Sequence, residues 1–209
     1  MKLINNYYLP DYDTHFADLL SKRNTYQQDR LDVAFPLCKK FDVALDIGAH
    51  VGIMSRQLAK HFKLVFAFEP NPLLHECLEA NAIGDNIQIY KYALGTGSGR
   101  AQLDITRANS GMTSISTAPY STFPVPMEML DSFKFKNVDL IKIDVEGYEK
   151  FVIAGGIETI NQFKPVMIVE QEHHDKYGST KTEAIDILIG IGYTVHKKIN
   201  SDYILTFQS

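Results

Sequence analysis

One stretch, residues 42–52, constrains the fold more than any other part of the sequence. It begins with an apolar run, Val43–Ile47, which has the length of a buried parallel strand. Gly48 and Gly52 follow, and a helical pattern of apolar residues starts at Ile53. A strand, a glycine turn and a helix form the first half of a βαβ unit. The pattern therefore predicts an α/β fold built on a parallel sheet.

A second apolar run, Leu64–Phe68, is followed directly by an acid, Glu69. Glu69 lies 23 residues after Asp46, near the spacing at which an acid after the second strand meets ribose hydroxyls. The dinucleotide fingerprint G-x-G-x-x-G is absent, because the order here is Asp46-x-Gly48-x-His50-x-Gly52. An acid followed by spaced glycines resembles the first motif of class I S-adenosylmethionine (SAM) methyltransferases. An acid at the strand end also suits a cationic ligand that carries an amino group.

The rest of the chain continues to alternate between strands and helices. Further strands are predicted at residues 87–92, 138–143, 165–169, 193–199 and 202–207, and helices at 73–82, 148–163 and 182–191. Two additional strand-like segments precede the strand at 138–143. We therefore expect a Rossmann-like class I methyltransferase fold, with a seven-stranded, mostly parallel sheet, a C-terminal antiparallel hairpin, helices on both faces and an extra β segment between strands three and four.

Residues 1–40 are predicted to form a tyrosine-rich helical segment. It is expected either to cover the cofactor and substrate side of the fold or to pack against the edge of the sheet. Residues 41–209 are predicted to form the SAM-binding domain, and the whole chain a single globular domain.

Composition excludes several classes of protein. The chain has 209 residues, of which 45% are hydrophobic and 22% charged, as in ordinary globular proteins. Its net charge of −4 argues against a nucleic-acid partner. Two cysteines without a CxxC pattern indicate a reduced compartment. Neither a signal peptide nor a membrane span is predicted, so a cytoplasmic location is expected.

Acidic and basic residues at the end of the strand at 138–143 are candidates for chemistry. Methyl transfer to a hydroxyl requires aligned reactants and benefits from a general base. Asp144 or Glu146 is predicted to accept the acceptor's proton, with helix capping as the alternative role for Glu146. Lys142 is predicted to pair with Asp46 or Asp144 and to set the charge of that acid. The alternative is a partly exposed lysine in a surface ion pair.

Polar residues after the fifth strand and in one loop complete the set of candidates. His173 is predicted to act as a base or to contact substrate. A divalent metal bound by Asp144, Glu170 and His173 is a further alternative, although no metal is the favoured expectation. The loop at residues 109–111 is small and polar, and such loops on rigid scaffolds often contact substrates.

Taken together, these motifs resemble the FkbM-type methyltransferases over about residues 40–172. The matching segments are residues 45–52, 68–72, 93–95, 109–111 and, most specifically, 141–149, which read IKIDVEGYE. The chain departs from the family where His50 replaces a frequent asparagine. The resemblance implies SAM as the cofactor, S-adenosylhomocysteine as its product, and O-methylation of a sugar or another small hydroxyl compound.

The predicted function is therefore SAM-dependent O-methylation, with a saccharide or glycosylated compound as the acceptor. Two alternatives are an RNA or protein methyltransferase and a non-catalytic SAM-fold binding subunit. The predicted cofactor-binding residues are Asp46, Gly48, Ala49, His50, Gly52, Glu69, Pro70, Asn71, Ala93 and Asp144. The predicted catalytic residues are Asp144, Glu146, Lys142 and His173. The predicted substrate-binding residues are Asn109, Ser110, Gly111, Glu170 and His174.

Overall fold

The structure is a computed structural model that describes residues 1–22, 26–106, 108–116 and 123–208. The strands are β1 (Lys2–Ile4), β2 (Tyr7–Leu9), β3 (Val43–Ile47), β4 (Leu64–Phe68), β5 (Ile87–Tyr90), β6 (Ala93–Leu94), β7 (Gly99–Asp104), β8 (Ser114–Ile115), β9 (Phe123–Glu128), β10 (Val138–Ile143), β11 (Val166–Glu170), β12 (Tyr193–Ile199) and β13 (Asp202–Phe207). The helices are α1 (His15–Lys22), α2 (Gln28–Ala34), α3 (Ile53–Leu58), α4 (His75–Asn81), α5 (Glu149–Ala154), α6 (Ile157–Phe163) and α7 (Glu183–Gly190). Short 3₁₀ turns lie at Phe35–Leu37, Ser110–Met112, Leu130–Phe133 and His174–Tyr177.

The main sheet has seven strands in the order β12-β13-β11-β10-β3-β4-β5. The five strands from β11 to β5 are parallel, and β13 pairs antiparallel with both β11 and β12. The predicted sheet and its terminal hairpin are therefore confirmed. Strand order reverses at β3, which lies between β4 and β10. Their carboxyl ends meet at the crevice where such sheets bind ligands.

Apolar side chains cover both faces of this sheet, as the nearly continuous apolar runs predict. Leu45, Ile143 and Val169 belong to a core cluster that packs with residues of α5, α6 and α7. On the opposite face, Ala44 and Leu140 pack with residues of α2 and α3. No helix in the described ranges is long and apolar enough to cross a bilayer.

A second sheet confirms the predicted extra β segment. It has four strands in the order β6-β9-β7-β8 and is inserted between β5 and β10. Because β6 follows β5 directly and β9 leads back towards β10, the insertion stands beside the crevice of the main sheet.

The N-terminal segment differs in part from the predicted helical structure. It begins with an antiparallel hairpin, β1–β2, whose turn residues Asn5 and Asn6 have φ of 48° and 64°. Asparagine tolerates this left-handed conformation, which two-residue hairpin turns require. The apolar pattern at residues 27–40 predicts one helix, but α2 ends at Ala34 and a 3₁₀ turn that contains Pro36 follows at Phe35–Leu37.

The helix predicted at residues 148–163 is broken into α5 and α6 at Gly155 and Gly156. A Cβ on Gly155 would overlap the carbonyl oxygen of Gly95, so this close approach requires glycine. The carbonyl of Gly155 also accepts a hydrogen bond from the Asp131 amide at 3.0 Å. The break therefore anchors the insertion against the main fold.

Candidate active site

A cavity opens at the carboxyl ends of β3, β4 and β10. Its lining combines apolar side chains with a small number of polar and charged groups, as small-molecule sites do. Two aromatic residues of the N-terminal segment, Phe16 and Tyr26, form part of its wall. The charged residues of its lining are Glu69, Lys142, Asp144 and Glu146.

The glycine turn after β3 forms the floor of the cavity. The amides of Gly48 and Ala49 both donate to the carbonyl of Phe68, at 3.0 and 2.9 Å. Gly48 has φ of 81°, and a Cβ at this position would overlap the carbonyl oxygen of Asp144. Only glycine therefore lets the turn lie between the ends of β4 and β10.

Glu69 presents a fixed carboxylate to the cavity. Its side chain is 5% exposed, and its two oxygens each accept a backbone hydrogen bond, from His50 and from Asn71, both at 2.8 Å. Each carboxylate oxygen retains further acceptor capacity. Burial raises the pKa of Glu69 to about 7, against the opposing effect of these two amides. The carboxylate of Glu69 is thus held in place and can accept hydrogen bonds from two hydroxyls of a ligand.

Lys142 is buried between two acids. Its ammonium donates to the carbonyl of Gly48 at 2.9 Å and lies 3.5 Å from Asp46 Oδ1 and 3.4 Å from Asp144 Oδ2. Burial opposes its charge, but Asp144 and Asp46 outweigh that effect and raise the pKa of Lys142. Lys142 was predicted to pair with either Asp46 or Asp144. The register of β3 against β10 places its ammonium near both acids. The alternative of a surface pair is wrong, because Lys142 is 4% exposed.

Asp46 lies beneath the described cavity lining and does not form part of it. It is fully buried, its Oδ2 accepts the Ser55 hydroxyl at 2.5 Å, and it is absent from the described lining. Burial raises its pKa, and Lys142 partly reverses the shift. Direct contact between Asp46 and a cofactor stays a prediction, whereas its contacts hold Lys142 and α3 in place.

Three carboxyl groups meet beside the cavity. Side-chain oxygens of Asp144, Glu146 and Glu170 all lie within 4.8 Å of one another. Burial raises the pKa of Glu170 to about 11, and the nearby charge of Asp144 adds to the shift. Burial would also raise the pKa of Asp144, but Lys142 and the hydrogen bond with Glu170 hold it below its usual value. At neutral pH, Glu170 is therefore protonated and donates to an ionised Asp144.

The cluster of carboxyl groups matches the predicted metal site only in part. Asp144 and Glu170 come together as that alternative requires, but the third member of the cluster is Glu146, and His173 instead contacts Glu146. The favoured expectation of no metal stays a prediction.

Glu146 has the conformation and environment of a functional residue. Its φ of 58° is strained for a non-glycine residue, and its side chain lines the cavity. Burial raises the pKa of Glu146 to about 8, with Asp144 and Glu149 adding to the shift. Its Oε2 lies 3.4 Å from Nε2 of His173, which has φ of 50° and is 42% exposed. Glu146 and His173, both with left-handed backbone, thus connect the cavity to solvent and could carry a proton between them.

The carboxylate of Glu149 fixes the loop that precedes α5. Its Oε1 accepts hydrogen bonds from the amides of Val145 and Gly147, at 3.1 and 3.0 Å. Both amides precede the helix, whose N-cap residue Tyr148 makes no side-chain cap hydrogen bond. The capping role of Glu146 stays a prediction. The four-residue string from 146 to 149 contains two glutamates, and only the backbone conformation decides which of them faces the cavity.

The N-terminal segment is joined to the cavity by a chain of polar contacts. Asp13 is fully buried; its Oδ1 accepts the amide of Phe16 at 2.8 Å, and its Oδ2 accepts both the amide and the hydroxyl of Ser110. The Ser110 oxygen in turn accepts from His50 Nε2, at 2.6 Å. Burial lowers the pKa of His50 to about 4, so the ring is neutral. Residues from three distant parts of the chain thereby close one side of the cavity.

Replacing Asp13 with alanine is expected to lower the free energy of unfolding by about 2–4 kcal/mol. The change removes the cap of α1, typically worth about 0.5–2 kcal/mol, and leaves the buried amide of Ser110 without its acceptor, at about 1–3 kcal/mol. Urea denaturation would measure the loss. Asp11→Ala is the matched control, since Asp11 is exposed and its substitution should barely shift the midpoint. Equal midpoints for both variants would contradict a structural role for Asp13.

The other predicted site residues divide into those at the cavity and those behind it. The lining includes Ala49, His50, Pro70, Ala93, Ser110 and Gly111. Gly52 packs against Leu78 of α4, and Asn71 is fully buried and donates to Thr113 Oγ1 at 3.1 Å. Neither Gly52, Asn71 nor Asn109 belongs to the described lining. The predicted contact of His174 lies outside the described side chains.

The cavity wall also contains aromatic residues that were not predicted as site residues. Phe16 and Tyr26 come from the N-terminal segment, and Tyr148 follows the Asp-x-Glu-Gly string after β10. Tyr148 contacts the ring of Tyr177, and Tyr177 donates to the carbonyl of Ile115 at 2.5 Å. The abundance of tyrosine near the N-terminus was the available sequence signal for Tyr26, but position along the chain carried no information on Tyr148.

Comparison with known proteins agrees with this geometry. A curated relative, the hexuronic acid methyltransferase AglP of Haloferax volcanii, is 27% identical over 148 residues, which cover 68% of this chain and 61% of that protein. The chain therefore spans about three fifths of the length of that relative. A methyltransferase FkbM structure from Methylobacillus flagellatus has a TM-score of 0.54 at 18% identity, covering 80% of this chain and 43% of that chain.

A second solved structure is similar over nearly the whole fold. The precorrin-6y C5,15-methyltransferase of Geobacter metallireducens has a TM-score of 0.53 at 17% identity, covering 88% of this chain and 90% of that chain. At such identities the likeness shows the fold alone. The sequence itself is more specific, since the profile of the methyltransferase FkbM domain matches residues 46–195. This match contains the glycine turn, Glu69 and the whole acidic cluster, and the chain belongs to the FkbM methyltransferase domain family.

Proposed function

We propose that this chain is a SAM-dependent methyltransferase that transfers a methyl group to a hydroxyl of a saccharide or glycosylated compound. The observation that carries the proposal is one cavity with two carboxyl groups of different character. Glu69 is fixed by two backbone amides and can accept hydrogen bonds from a diol. Glu146, on the other side of β3, has a pKa raised by burial to about 8, which suits a general base.

The donors and acceptors of the cavity fit SAM. Glu69 would bind the ribose hydroxyls, and the turn at Gly48 would lie beneath the cofactor. Phe68 and Tyr92 offer apolar surface to the adenine ring. The ionised Asp144 would face the positively charged end. SAM, when bound, supplies a methyl group that is already activated, so the remaining work of the protein is to orient the acceptor and to remove its proton.

Glu146 is the group proposed to remove that proton. An acceptor hydroxyl hydrogen-bonded to Glu146 would lose its proton to the carboxylate as the oxygen forms its new bond. The proton would then pass to His173, which is 3.4 Å away and reaches solvent. Lys142 has no role in this transfer; it keeps Asp144 ionised and pins the turn at Gly48.

The acceptor class is inferred from a relative. The relative AglP is named as a hexuronic acid methyltransferase, and from this name we infer only that the acceptor here is a saccharide. The negative net charge and the acidic cluster disfavour an RNA acceptor.

A thermal shift with SAM and with S-adenosylhomocysteine tests cofactor binding directly. A ligand at 100 times its dissociation constant should stabilise the native protein by about 2.7 kcal/mol. Glu69→Gln should lower the affinity by about 10–100-fold, because an amide cannot accept hydrogen bonds at both of its ends. Affinity in the native protein should also fall as the pH drops below about 7, where Glu69 takes up a proton.

Glu79→Gln serves as the control, because Glu79 pairs with Lys91 on the surface and lies outside the cavity lining. Its ligand shift should equal that of the native protein. If the native protein shows no shift with either ligand at millimolar concentration, SAM dependence is wrong and the non-catalytic alternative is favoured. A folded Glu69→Gln variant that binds SAM normally would remove the ribose role of Glu69.

A further inference from the structure

Tyr26 brings a hydroxyl group from the N-terminal segment to the wall of the cavity. Its backbone carbonyl accepts a hydrogen bond from Gln57 Nε2 at 2.9 Å, which ties the residue to α3. The chain continues into α2, where Arg30 pairs with Asp202 of β13 at 2.9 Å. Tyr26 is thereby held between α3 and the strands on the β11 side of the cavity.

The ring of Tyr26 is also fixed from the side of the glycine turn. It meets the ring of Phe16 edge to face, with centroids 5.1 Å apart, and Phe16 meets the ring of His50 in the same way at 4.7 Å. His50 belongs to the turn after β3, and its Nε2 donates to the Ser110 hydroxyl. Aromatic contacts thus connect Tyr26 to the turn that is proposed to lie beneath the cofactor.

The hydroxyl of Tyr26 lies in the field of two opposite charges. Burial raises the pKa of Tyr26, the charge of Asp144 adds to the shift, and the charge of Lys142 opposes it. The phenol therefore keeps its proton at neutral pH and can act as a hydrogen-bond donor in the cavity. The ammonium of Lys142 contacts Gly48, Asp46 and Asp144, but its positive charge still favours an anion beside Tyr26.

The width of the cavity across the strand ends suits a nucleoside with an amino acid tail. Glu69 follows β4 and Asp144 follows β10, and β3 lies between these two strands. Neighbouring strands are about 4.8 Å apart, so the two acids follow strands that are about 10 Å apart. A cofactor whose ribose is bound at Glu69 can therefore extend its tail over Gly48 towards Asp144. Its amino group would meet Asp144, and its carboxylate would need a donor nearby.

We propose that the hydroxyl of Tyr26 donates a hydrogen bond to the carboxylate of SAM, which makes the N-terminal segment part of the cofactor site. The inference rests on the proposed function and deepens it. It assigns one end of the cofactor to a residue that precedes the family match at residues 46–195. Tyr26 takes no proton in the reaction; by fixing the tail, it sets the direction in which the methyl group points.

Truncated cofactors test the proposal by calorimetry on the whole chain. SAM is compared with decarboxylated SAM, which lacks only the carboxylate, and with methylthioadenosine, which lacks both charged groups of the tail. Tyr26→Phe should lower the affinity for SAM by about 10–100-fold, the usual contribution of a hydrogen bond to a charged group. It should leave the affinities for the two truncated compounds unchanged. Glu69→Gln should weaken all three compounds, because each of them contains the ribose.

Tyr7→Phe is the matched control. Tyr7 belongs to the same N-terminal segment, but its ring packs against the cluster around Leu9 and Phe16 and lies outside the described lining. All three affinities should therefore equal those of the native protein.

The outcomes separate this inference from the proposed function. Native affinity for SAM in Tyr26→Phe would overturn the inference and leave SAM dependence standing. Equal losses for SAM and decarboxylated SAM would also overturn it, since the hydroxyl would then act on the shape of the cavity and not on the carboxylate. Decarboxylated SAM that binds the native protein as tightly as SAM would have the same consequence. A native protein that binds none of the three compounds would contradict the proposed function, and the inference with it.

Discussion

Replacing Glu146 with glutamine is expected to slow methyl transfer by about 10²–10⁴-fold, the usual contribution of a general base. The amide has the size of the carboxylate but cannot take the proton from an acceptor hydroxyl. SAM affinity should change little, because Glu146 is not among the groups proposed to bind SAM. The loss should therefore appear in kcat and not in cofactor binding.

The dependence of the rate on pH gives this prediction a second readout. Only the ionised Glu146 is a base, and burial raises its pKa to about 8. The native rate should therefore increase with pH up to about 8 and then level off, whereas Glu146→Gln should lack this increase. Initial rates between pH 6 and 9 would measure both. Bound SAM brings positive charge to the cavity, so the midpoint should lie lower in its presence than in the free protein.

Glu172→Gln is the matched control for Glu146→Gln. It removes the same charge from the same region, but Glu172 is exposed and lies outside the described lining. Its rate should stay near the native value, with a midpoint moved slightly to lower pH because Glu172 contributes to the raised pKa of Glu146. A native rate in Glu146→Gln, or an unchanged pH profile, would exclude Glu146 as the base.

Replacing Lys142 with methionine is expected to lower the free energy of unfolding by about 3–5 kcal/mol at pH 8, the cost of removing one partner from a buried ion pair. Methionine fills much of the same space, so the loss comes from charge. Asp46 and Asp144 would then lie side by side in the core without a cation. Urea denaturation with the linear extrapolation would give the difference.

The pH dependence of this loss follows from the direction of the shifts. Lys142 holds the pKa of Asp144 below its unfolded value, so this pairing stabilises the native protein above about pH 4 and is lost as the pH falls further. In the variant, the same acids gain protons more readily and their repulsion disappears in acid. The gap between the native protein and the variant should therefore be wide at pH 8 and narrower at pH 5.

An exposed pair provides the control for Lys142→Met. Lys63 lies 2.6 Å from Asp42, and its side chain is 80% exposed. Lys63→Met should barely change the urea midpoint at either pH, since water screens such pairs. If Lys142→Met were as stable as the native protein at pH 8, the buried pairing of Lys142 with Asp46 and Asp144 would have no structural role.

The fold could be predicted in detail because its signals are local. β3, β4 and β10 begin and end where the sequence predicts, since each is an apolar run bounded by glycine, proline or charged residues. Glu69 was likewise found by its spacing from Asp46. The hairpin β1–β2 was missed because its strands are only three residues long and their burial is partial, which leaves little periodicity to detect.

The arrangement of the candidate site depended on contacts that spacing cannot supply. The sequence left open which acid pairs with Lys142, and the register of β10 against β3 decided for both. It left open the role of Glu146. The backbone of Glu146 is left-handed and its side chain lines the cavity, whereas Glu149 accepts amides of the loop before α5. Asp13 and Ser110 are 97 residues apart, and only folding makes them partners.

The sequence by itself determined the sheet, the glycine turn, the acid after β4 and the family to which the chain belongs. These features depend on residue type and on distances of a few residues along one element, which the amino-acid order contains directly. Only the tertiary structure decided which acids are ionised, which line the cavity and which are buried beneath its lining. Those properties depend on burial and on charges brought within about 4 Å from separate elements, where Coulomb energies change most steeply with position.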